Sequence, residues 1–524
     1  MILRGNKELL WILVVSMLIM IWGSIPTWAG YHAETSDFRF RGLYYDSQDY
    51  AVHIAMMNAG MHGDWAYQFR FTTESHNPAF TRLFYIALGK FSMLLSSSAE
   101  TTFHWARFLL GFIALYTLYI LMRKIFQEVF WARIAFLIAA VGSGLGWLQL
   151  LFNWTPGRIT PIDFWLIDAY VFFSLSVFPH FAFVTAAMCI VLKLWLEYLE
   201  RLNRLNIFWI VLTSILVQFA NPIAFATIDA ALLGAALFFW WNKGKIIGAH
   251  VVGLSFIAIA QVPLLMYNII VLSRDPLWSQ FTAQNQTLSP PLIYYIFGFA
   301  FFWLPALFGV ITAFREKSGA PGACFFWLAS AFLLAYAPFY IQRRFLQNIT
   351  IPLAILATSG LKTFFETVTT WNALLTRWEK SFVIMFIFLT SLSSIQLSLG
   401  RAAYLQTHPD DLFYPASLDG AISWLDEHAQ YNDFVLASEQ TSQVLVQKAG
   451  LRAYLGHEME TLDYKTKQVN VKAFFQGKLP ELVSRPIKWV VYGPFERKLS
   501  PRFETPEDLQ LVYDFQELQI YQVK

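Results

Sequence analysis

The sequence predicts an α-helical polytopic membrane protein with about 11 transmembrane helices, interfacial helices in its first outer loop and a small C-terminal α/β domain. Three observations predict it. The 524 residues are 56% hydrophobic and 18% aromatic but only 14% charged, where a soluble globular chain carries about a quarter charged residues, and the mean hydropathy is +0.46. Apolar runs recur up to residue 399, bounded by basic or polar residues. From Arg401 the runs stop, and short strand-like and helix-like segments alternate.

The same composition excludes other classes. A formal net charge of +3 is too small to mark a nucleic-acid partner. Cys189 and Cys324 lie inside apolar runs and read as buried thiols, silent about the redox compartment. The sequence holds no serine nucleophile elbow, zinc-protease helix motif, Cys-x-x-Cys pair or glycine-rich phosphate loop.

Residues 9–28 form the first span. Arg4 and Lys7 precede it as in a signal peptide, but the run is about 20 residues long and lacks a small-residue cleavage site, so it reads as a retained helix starting in the cytoplasm. The polar stretch to Pro78 is then extracytoplasmic. Residues 79–95 are apolar but interrupted by Arg82, Gly89 and Lys90. The next run, 105–121, leads into Arg123, Lys124 and Arg133, which belong on the cytoplasmic side. It therefore begins outside, and 79–95 lies along the surface without crossing. Further spans are expected at 134–152, 177–195, 207–219, 223–241, 247–272, 292–314, 325–341, 345–365 and 382–399. Every basic cytoplasmic loop then agrees with the sidedness.

On this reading a membrane domain covers 1–400, with its outer catalytic loop at 29–104, and 401–524 is an extracytoplasmic α/β domain. Within that domain 417–428, 439–449 and 464–475 read as helices. Segments 434–438, 452–455, 488–493, 509–513 and 518–523 read as strands.

The chemistry concentrates in residues 44–78, YYDSQDYAVHIAMMNAGMHGDWAYQFRFTTESHNP. If 46–61 is helical, Asp46, Asp49 and His53 share one face while Val52, Ala55, Met56 and Ala59 share another. Such a helix suits the rim of a membrane cavity. A carboxylate partly desolvated there gains proton affinity, which suits a general base. Asp46, Asp49 and His53 are equally oxygen and imidazole ligands for a divalent ion, magnesium or manganese, and the residues alone do not separate the two roles. The plain alternative is a solvated helix face. Glu74, His76 and Pro78 stand where the chain re-enters the interface, with Asn77 as a helix cap and Pro78 as the first helical residue. Asp163 and Asp168 flank an aromatic run outside, and His180 follows Pro179 near the outer end of its span, where a histidine more often simply packs. Arg343 and Arg344 lie between two spans on the outer side, against the positive-inside bias. Paired guanidinium groups there are shaped to grip a phosphate, the alternative being snorkelling to lipid headgroups.

An early acidic motif after the first span, a Gly-Asp-Trp turn and a proline-led interfacial segment together resemble the GT-C superfamily of integral-membrane glycosyltransferases, which includes protein O-mannosyltransferases and lipid A aminoarabinose transferases. The matching residues are Asp46-Ser-Gln-Asp49-Tyr50-Ala-Val-His53-Ile54, Gly63-Asp64-Trp65 and His76-Asn77-Pro78. Asp46 takes the place of the family's catalytic aspartate. The usual second acid is Ser47 here, and Asn77 replaces the basic residue before the proline, which makes Asp49 a credible substitute.

The resemblance implies transfer of a sugar from a polyprenyl-phosphate donor to a lipid, glycan or protein acceptor on the outer face of a bacterial inner membrane. Configuration would be inverted, with Asp46 or Asp49 as the base. His53, Glu74, His76, Asp168, His180, Arg343 and Arg344 would contact substrate, the two arginines stabilising the departing phosphate. It leaves room for a divalent ion at Asp46, Asp49 or Glu74, with no cofactor certain. The C-terminal stretch 456–464, GHEMETLDY, would lie above the cavity. A transporter or flippase, or a glycan-binding relative without activity, are the rival readings. An Asp46→Asn variant separates them, since only a transferase loses sugar transfer.

Overall fold

The computed structural model of the chain describes residues 6–154, 160–371, 376–484 and 486–524. Arg4, one of the two basic residues used to orient the first span, lies outside the described residues. Among the described residues six helices are long and apolar enough to cross a membrane: Asn6–His32, Ala99–Ile125, Pro179–Glu200, Ala224–Lys243, Gly248–Arg274 and Trp378–Leu405. Leu292–Gly298 and Ala300–Glu316, bent by 87° at Phe299, make up to one more. These helices make the chain an integral membrane protein.

The other expected spans fall on shorter or broken helices. Arg204–Ala220 and Gly319–Ala335 have 17 residues each and Val129–Val141 has 13. At 1.5 Å per residue, 13 residues reach about 20 Å against a hydrocarbon core of about 30 Å. The run at 134–152 is not continuous, because the helix stops at Gly142 and resumes as Gly146–Leu151. The run at 177–195 is interrupted at Phe178, where Pro179 restarts the helix with the one residue type whose missing N–H costs nothing at that position. The run at 345–365 begins with a 3-10 turn, Gln342–Leu346, before the helix Thr350–Trp371. The segment at 79–95, expected not to cross, forms the 12-residue helix Leu83–Leu94.

The chain divides into two compact units. The first comprises Met1–Ser24, Trp105–Tyr267 and Gln286–Gly400. Its helices pack by shape: Ala300–Glu316 and Thr350–Trp371 approach so closely that a Cβ on Gly309 would strike the Leu356 carbonyl, and one on Gly360 the Pro305 carbonyl. Small residues permit this approach where no aqueous hydrophobic effect drives helices together. Cys189 and Cys324 are buried here.

The second unit comprises Ile25–His104, Asn268–Asn285 and Arg401–Lys524. Its sheet has five strands in the order Arg452–Ala453, Phe434–Leu436, Trp489–Tyr492, Leu518–Val523 and Leu509–Phe515. The first three run parallel and the last two complete an antiparallel edge. Tyr454, Phe474, Phe475, Val490, Tyr492 and Tyr521 form its core with the Tyr464–Phe475 helix. Each expected strand and helix of the C-terminal segment is present, with 452–455 reduced to two residues. Not expected was a second, two-stranded sheet, in which Phe38–Phe40 pairs antiparallel with Phe413–Pro415.

Candidate active site

The early acidic motif is built at a helix start. The helix is Ser47–Met61, and Asp46 caps it from outside with φ 51°, in the left-handed region that Asp tolerates better than most residues. Its carboxylate accepts the Asp49 N–H at 3.2 Å, at the end of a helix that favours negative charge. Asp46 is exposed and Asp49 half-buried. The expected helix at 46–61 thus begins one residue later, and Asp46 points from the cap. Val52, Ala55, Met56 and Ala59 are buried, as the apolar face requires. Burial extends well beyond that face, because the helix is clasped on both sides. One clasp is the Leu83–Leu94 helix, where Cβ atoms on Gly60 and Gly89 would strike the carbonyls of Ile86 and Met57. His53 stacks on Tyr85 at 4.0 Å on this side.

The other clasp comes from the C-terminal segment. Gln48 donates to Glu439 at 2.9 Å, and Asn58 to the Gln447 carbonyl at 2.8 Å. His457 Nε2 lies 3.0 Å from Asp49 Oδ1. The neighbouring Glu460, 1% exposed, accepts from Arg82 at 2.7 Å and from the Tyr67 hydroxyl at 2.8 Å. Burial and that carboxylate push the Tyr67 hydroxyl far above the usual range. Burial also raises Glu439, whose carboxylate takes the Tyr464 hydroxyl at 2.5 Å.

The loop carrying Glu74 and His76 departs from expectation. Pro78 does not begin a helix: Ala79 pairs with Tyr67 through both backbone bonds, at 2.8 and 3.0 Å, and the helix starts at Leu83 behind Arg82 at φ 57°. Asn77 is accordingly no cap, and its carbonyl accepts from Trp278 at 3.3 Å. His76 uses both ring nitrogens inside the loop: Nε2 accepts the Phe69 N–H at 3.0 Å and Nδ1 meets the Glu74 carbonyl at 2.9 Å. Its pKa is lowered, chiefly by burial. Burial would raise Glu74, but hydrogen bonds from Lys467 and Thr72 outweigh it and hold the carboxyl below the ordinary range. Glu74 is therefore committed to Lys467 and Asp49 to His457. Among the described residues no group of three or more His, Cys, Asp or Glu side chains is placed to hold a metal ion, so the set Asp46, Asp49 and Glu74 does not form a ready cation site.

The remaining candidates belong to the first unit. Arg343 and Arg344 sit on the Gln342–Leu346 turn, half-buried, with the Arg343 guanidinium 5.1 Å from the centre of the Trp165 ring. Asp168 is half-buried on the short Ile167–Ala169 turn, and its carbonyl accepts the Asn348 N–H at 2.7 Å. His180 stands in the first turn of Pro179–Glu200, 4.0 Å from Phe181 and 5.7 Å from Phe178, ring to ring. Asp163 is fully buried and accepts the N–H groups of Gly144 and Gly146 at 2.8 and 3.2 Å, in the break that interrupts the 134–152 run. Burial raises its pKa to about 6.

Within the second unit Asp46, Asp49 and the C-terminal residues His457 and Glu439 thus gather at one helix start, while Glu74 and His76 hold a separate loop. Lys467 was not singled out from the sequence, and His457 and Glu460 entered only within the 456–464 stretch placed above the cavity. A histidine among acids is no local signal, since His408 before Asp410 and Asp411 and His428 after Asp426 and Glu427 show the same pattern, and the partners of these residues lie 378 to 408 residues away.

No protein-family model matches the chain, and no curated protein matches it by sequence. Solved structures do match it. The Archaeoglobus fulgidus oligosaccharyltransferase, tethered with an acceptor peptide containing the NVT sequon, superposes with a TM-score of 0.55 at 12% identity, over 94% of this chain and 69% of its own. The same protein in complex with Zn and sulfate gives 0.52 at 11% identity, over 92% and 67%. ArnT from Cupriavidus metallidurans bound to undecaprenyl phosphate gives 0.54 at 10% identity, over 99% and 98%. Nearly the whole chain therefore has the fold of GT-C membrane glycosyltransferases, with their transmembrane helices and a small C-terminal sheet domain.

Proposed function

We propose that the protein is a glycosyltransferase that moves a sugar from a polyprenyl-phosphate donor to a lipid, glycan or protein acceptor. The observation that carries this reading is the shared fold along 99% of the chain with a structure that holds undecaprenyl phosphate. The early acidic motif at the Ser47–Met61 helix start supports it from the chain itself.

Asp46 is the better base of the two aspartates. Its carboxylate is exposed at the helix cap and reachable by an acceptor, without the partial desolvation expected of the acidic face, whereas Asp49 is half-buried and meets His457. The Asp46 carboxylate would take the acceptor's hydroxyl proton as that oxygen bonds to the anomeric carbon. The bond from that carbon to the phosphate oxygen breaks with inversion, and the phosphate leaves with the electron pair. Arg343 and Arg344 are assigned to the donor phosphate, where guanidinium groups offset developing charge. No step runs through a metal, because the donor set is not gathered. The first loop and residues 401–524 are assigned to the extracytoplasmic side of the plasma membrane, with the N-terminus cytoplasmic.

The test is transfer from a bacterial lipid extract to acceptors by the purified protein. Asp46→Asn keeps an oxygen to cap the helix but cannot take a proton, so kcat/KM should fall by about 10²–10⁴-fold with folding intact. Wild-type transfer that survives Asp46→Asn unchanged overturns the assignment of the base. A wild-type protein that transfers no sugar from any lipid-linked donor overturns the function.

A further inference from the structure

The neutral ring of His457 is held in one tautomer by its surroundings. The residue is 6% exposed. Its Nδ1 accepts two backbone N–H bonds, from Met459 and Glu460, each at 3.1 Å. A ring nitrogen that accepts two N–H groups carries no proton of its own, so in the neutral ring the proton sits on Nε2 and points at Asp49 Oδ1, 3.0 Å away. The carboxylate does not choose this tautomer. The backbone does.

The loop that presents the ring is itself pinned. Thr461 Oγ1 accepts the Gly456 N–H at 3.1 Å, and Gln443 donates to the Gly456 carbonyl at 2.8 Å. Gln284 donates to the carbonyls of Thr461 and Met459 at 2.8 and 3.0 Å. The Glu458 N–H reaches Gln48 Oε1 at 3.1 Å. The loop therefore grips two successive residues, Gln48 and Asp49, in the first turn of the helix that Asp46 caps. Asp49 in turn gives its N–H to Asp46.

We propose that His457 is a positioning residue for the base: its Nε2–H fixes the Asp49 carboxylate beside Asp46, so that the C-terminal segment sets the geometry of the acidic motif. This rests on the transferase reading above. It gives the C-terminal segment a part in the reaction without contact to the substrate.

Three variants test this in the full-length protein in nanodiscs. His457→Gln offers an amide N–H for Asp49 and a carbonyl for the loop N–H groups, while His457→Ala offers neither. Alanine should lower kcat by about 10- to 100-fold with little change in the donor KM, and glutamine should restore most of it. A second measurement needs no activity. The ¹⁵N spectrum of labelled histidine at mildly alkaline pH should show an Nε2–H tautomer whose resonance shifts in Asp49→Asn. An Nδ1–H tautomer, a His457→Ala variant with wild-type kcat, or a glutamine variant as impaired as alanine would each overturn the proposal. An inactive wild type with the expected tautomer would overturn the transferase reading alone.

Discussion

Among the described residues of the first unit, Glu8 with Arg123, Lys124 with Glu200 and Lys193 with Glu197 pair near helix ends, and Lys362 reaches Glu128 and Glu366 from within the Thr350–Trp371 helix. In the second unit five pairs tie the early loop to the C-terminal segment, Arg39 with Asp419, Asp49 with His457, Glu74 with Lys467, Arg82 with Glu460 and Glu100 with Lys448, while Asp64 with Arg70, Asp433 with Lys488 and Asp410 with Lys498 stay within their own segments. A span that must sit among lipid tails keeps charge out of its middle, where each charged group costs several kcal/mol or more, and fits its neighbours by shape. The second unit joins segments that are remote in sequence, and there paired charges specify which segment meets which. The difference locates the fragile points of the molecule. They are close-approach glycines in both units, Gly309 and Gly360 in the first and Gly60 and Gly89 in the second, joined in the second by the polar partners that tie its segments together.

The largest effect should follow from Gly360→Val. Its Cβ would meet the Pro305 carbonyl and, at 2.8 Å, the Gly309 nitrogen, both of them backbone atoms that cannot swing aside. The variant should lose about 3 kcal/mol or more, read as a fall in folded yield and unfolding temperature in detergent. Wild-type behaviour would mean that the first unit does not depend on close helix approach. A smaller loss, about 2–3 kcal/mol, is expected for Glu460→Ala, which strips partners from Tyr67 and Arg82. The figure stays at or below that for a fully buried pair because Arg82 is 32% exposed. A double-mutant cycle with Arg82→Ala measures how much of it is the pair itself.

The smallest effect is a change of slope. Glu74 is more acidic in the folded chain than its ordinary value of 4.5, through the hydrogen bonds and charge of Lys467 and the Thr72 hydroxyl that outweigh burial. Its contribution is therefore complete above that value and is lost as pH falls through the lower folded one. Lys467→Met should reduce stability near neutrality and flatten the acid side of the stability curve below about pH 4.5. An unchanged acid limb would show that Glu74 and Lys467 are not coupled.

What could be read beforehand divides along the same line. Trp489–Tyr492 and Leu518–Val523 announce themselves as strands because β-branched and aromatic residues stand between turn residues, and the helix at 439–449 was placed to the residue. Phe38–Phe40 could not be found: three residues show no alternation, and the partner strand begins at Phe413. Hydropathy sees composition and misses breaks. Residues 134–152 are apolar on both sides of Gly142, yet Asp163 binds the turn between two helices there. Pro78 carried a sound local signal that tertiary pairing overrode, since Ala79 bonds to Tyr67 instead of entering a helix. The acidic motif was legible as residues but not as one shared face, since Asp46 caps the helix from outside it, Asp49 meets His457 and His53 stacks on Tyr85. Its partner His457 was not legible, because no local pattern encodes a contact across 408 positions.

That separation has a consequence for how the protein is made. The Ser47–Met61 helix leaves the ribosome early, whereas Glu439, Gln447 and His457, which bond to it, follow 389 to 408 residues after their partners. Through that interval the early loop waits with its polar groups on water, and a chain stopped short of residue 457 never closes it. A stop codon just after the Trp378–Leu405 helix would thus spare the six membrane-length helices among the described residues and still leave the acidic motif unassembled.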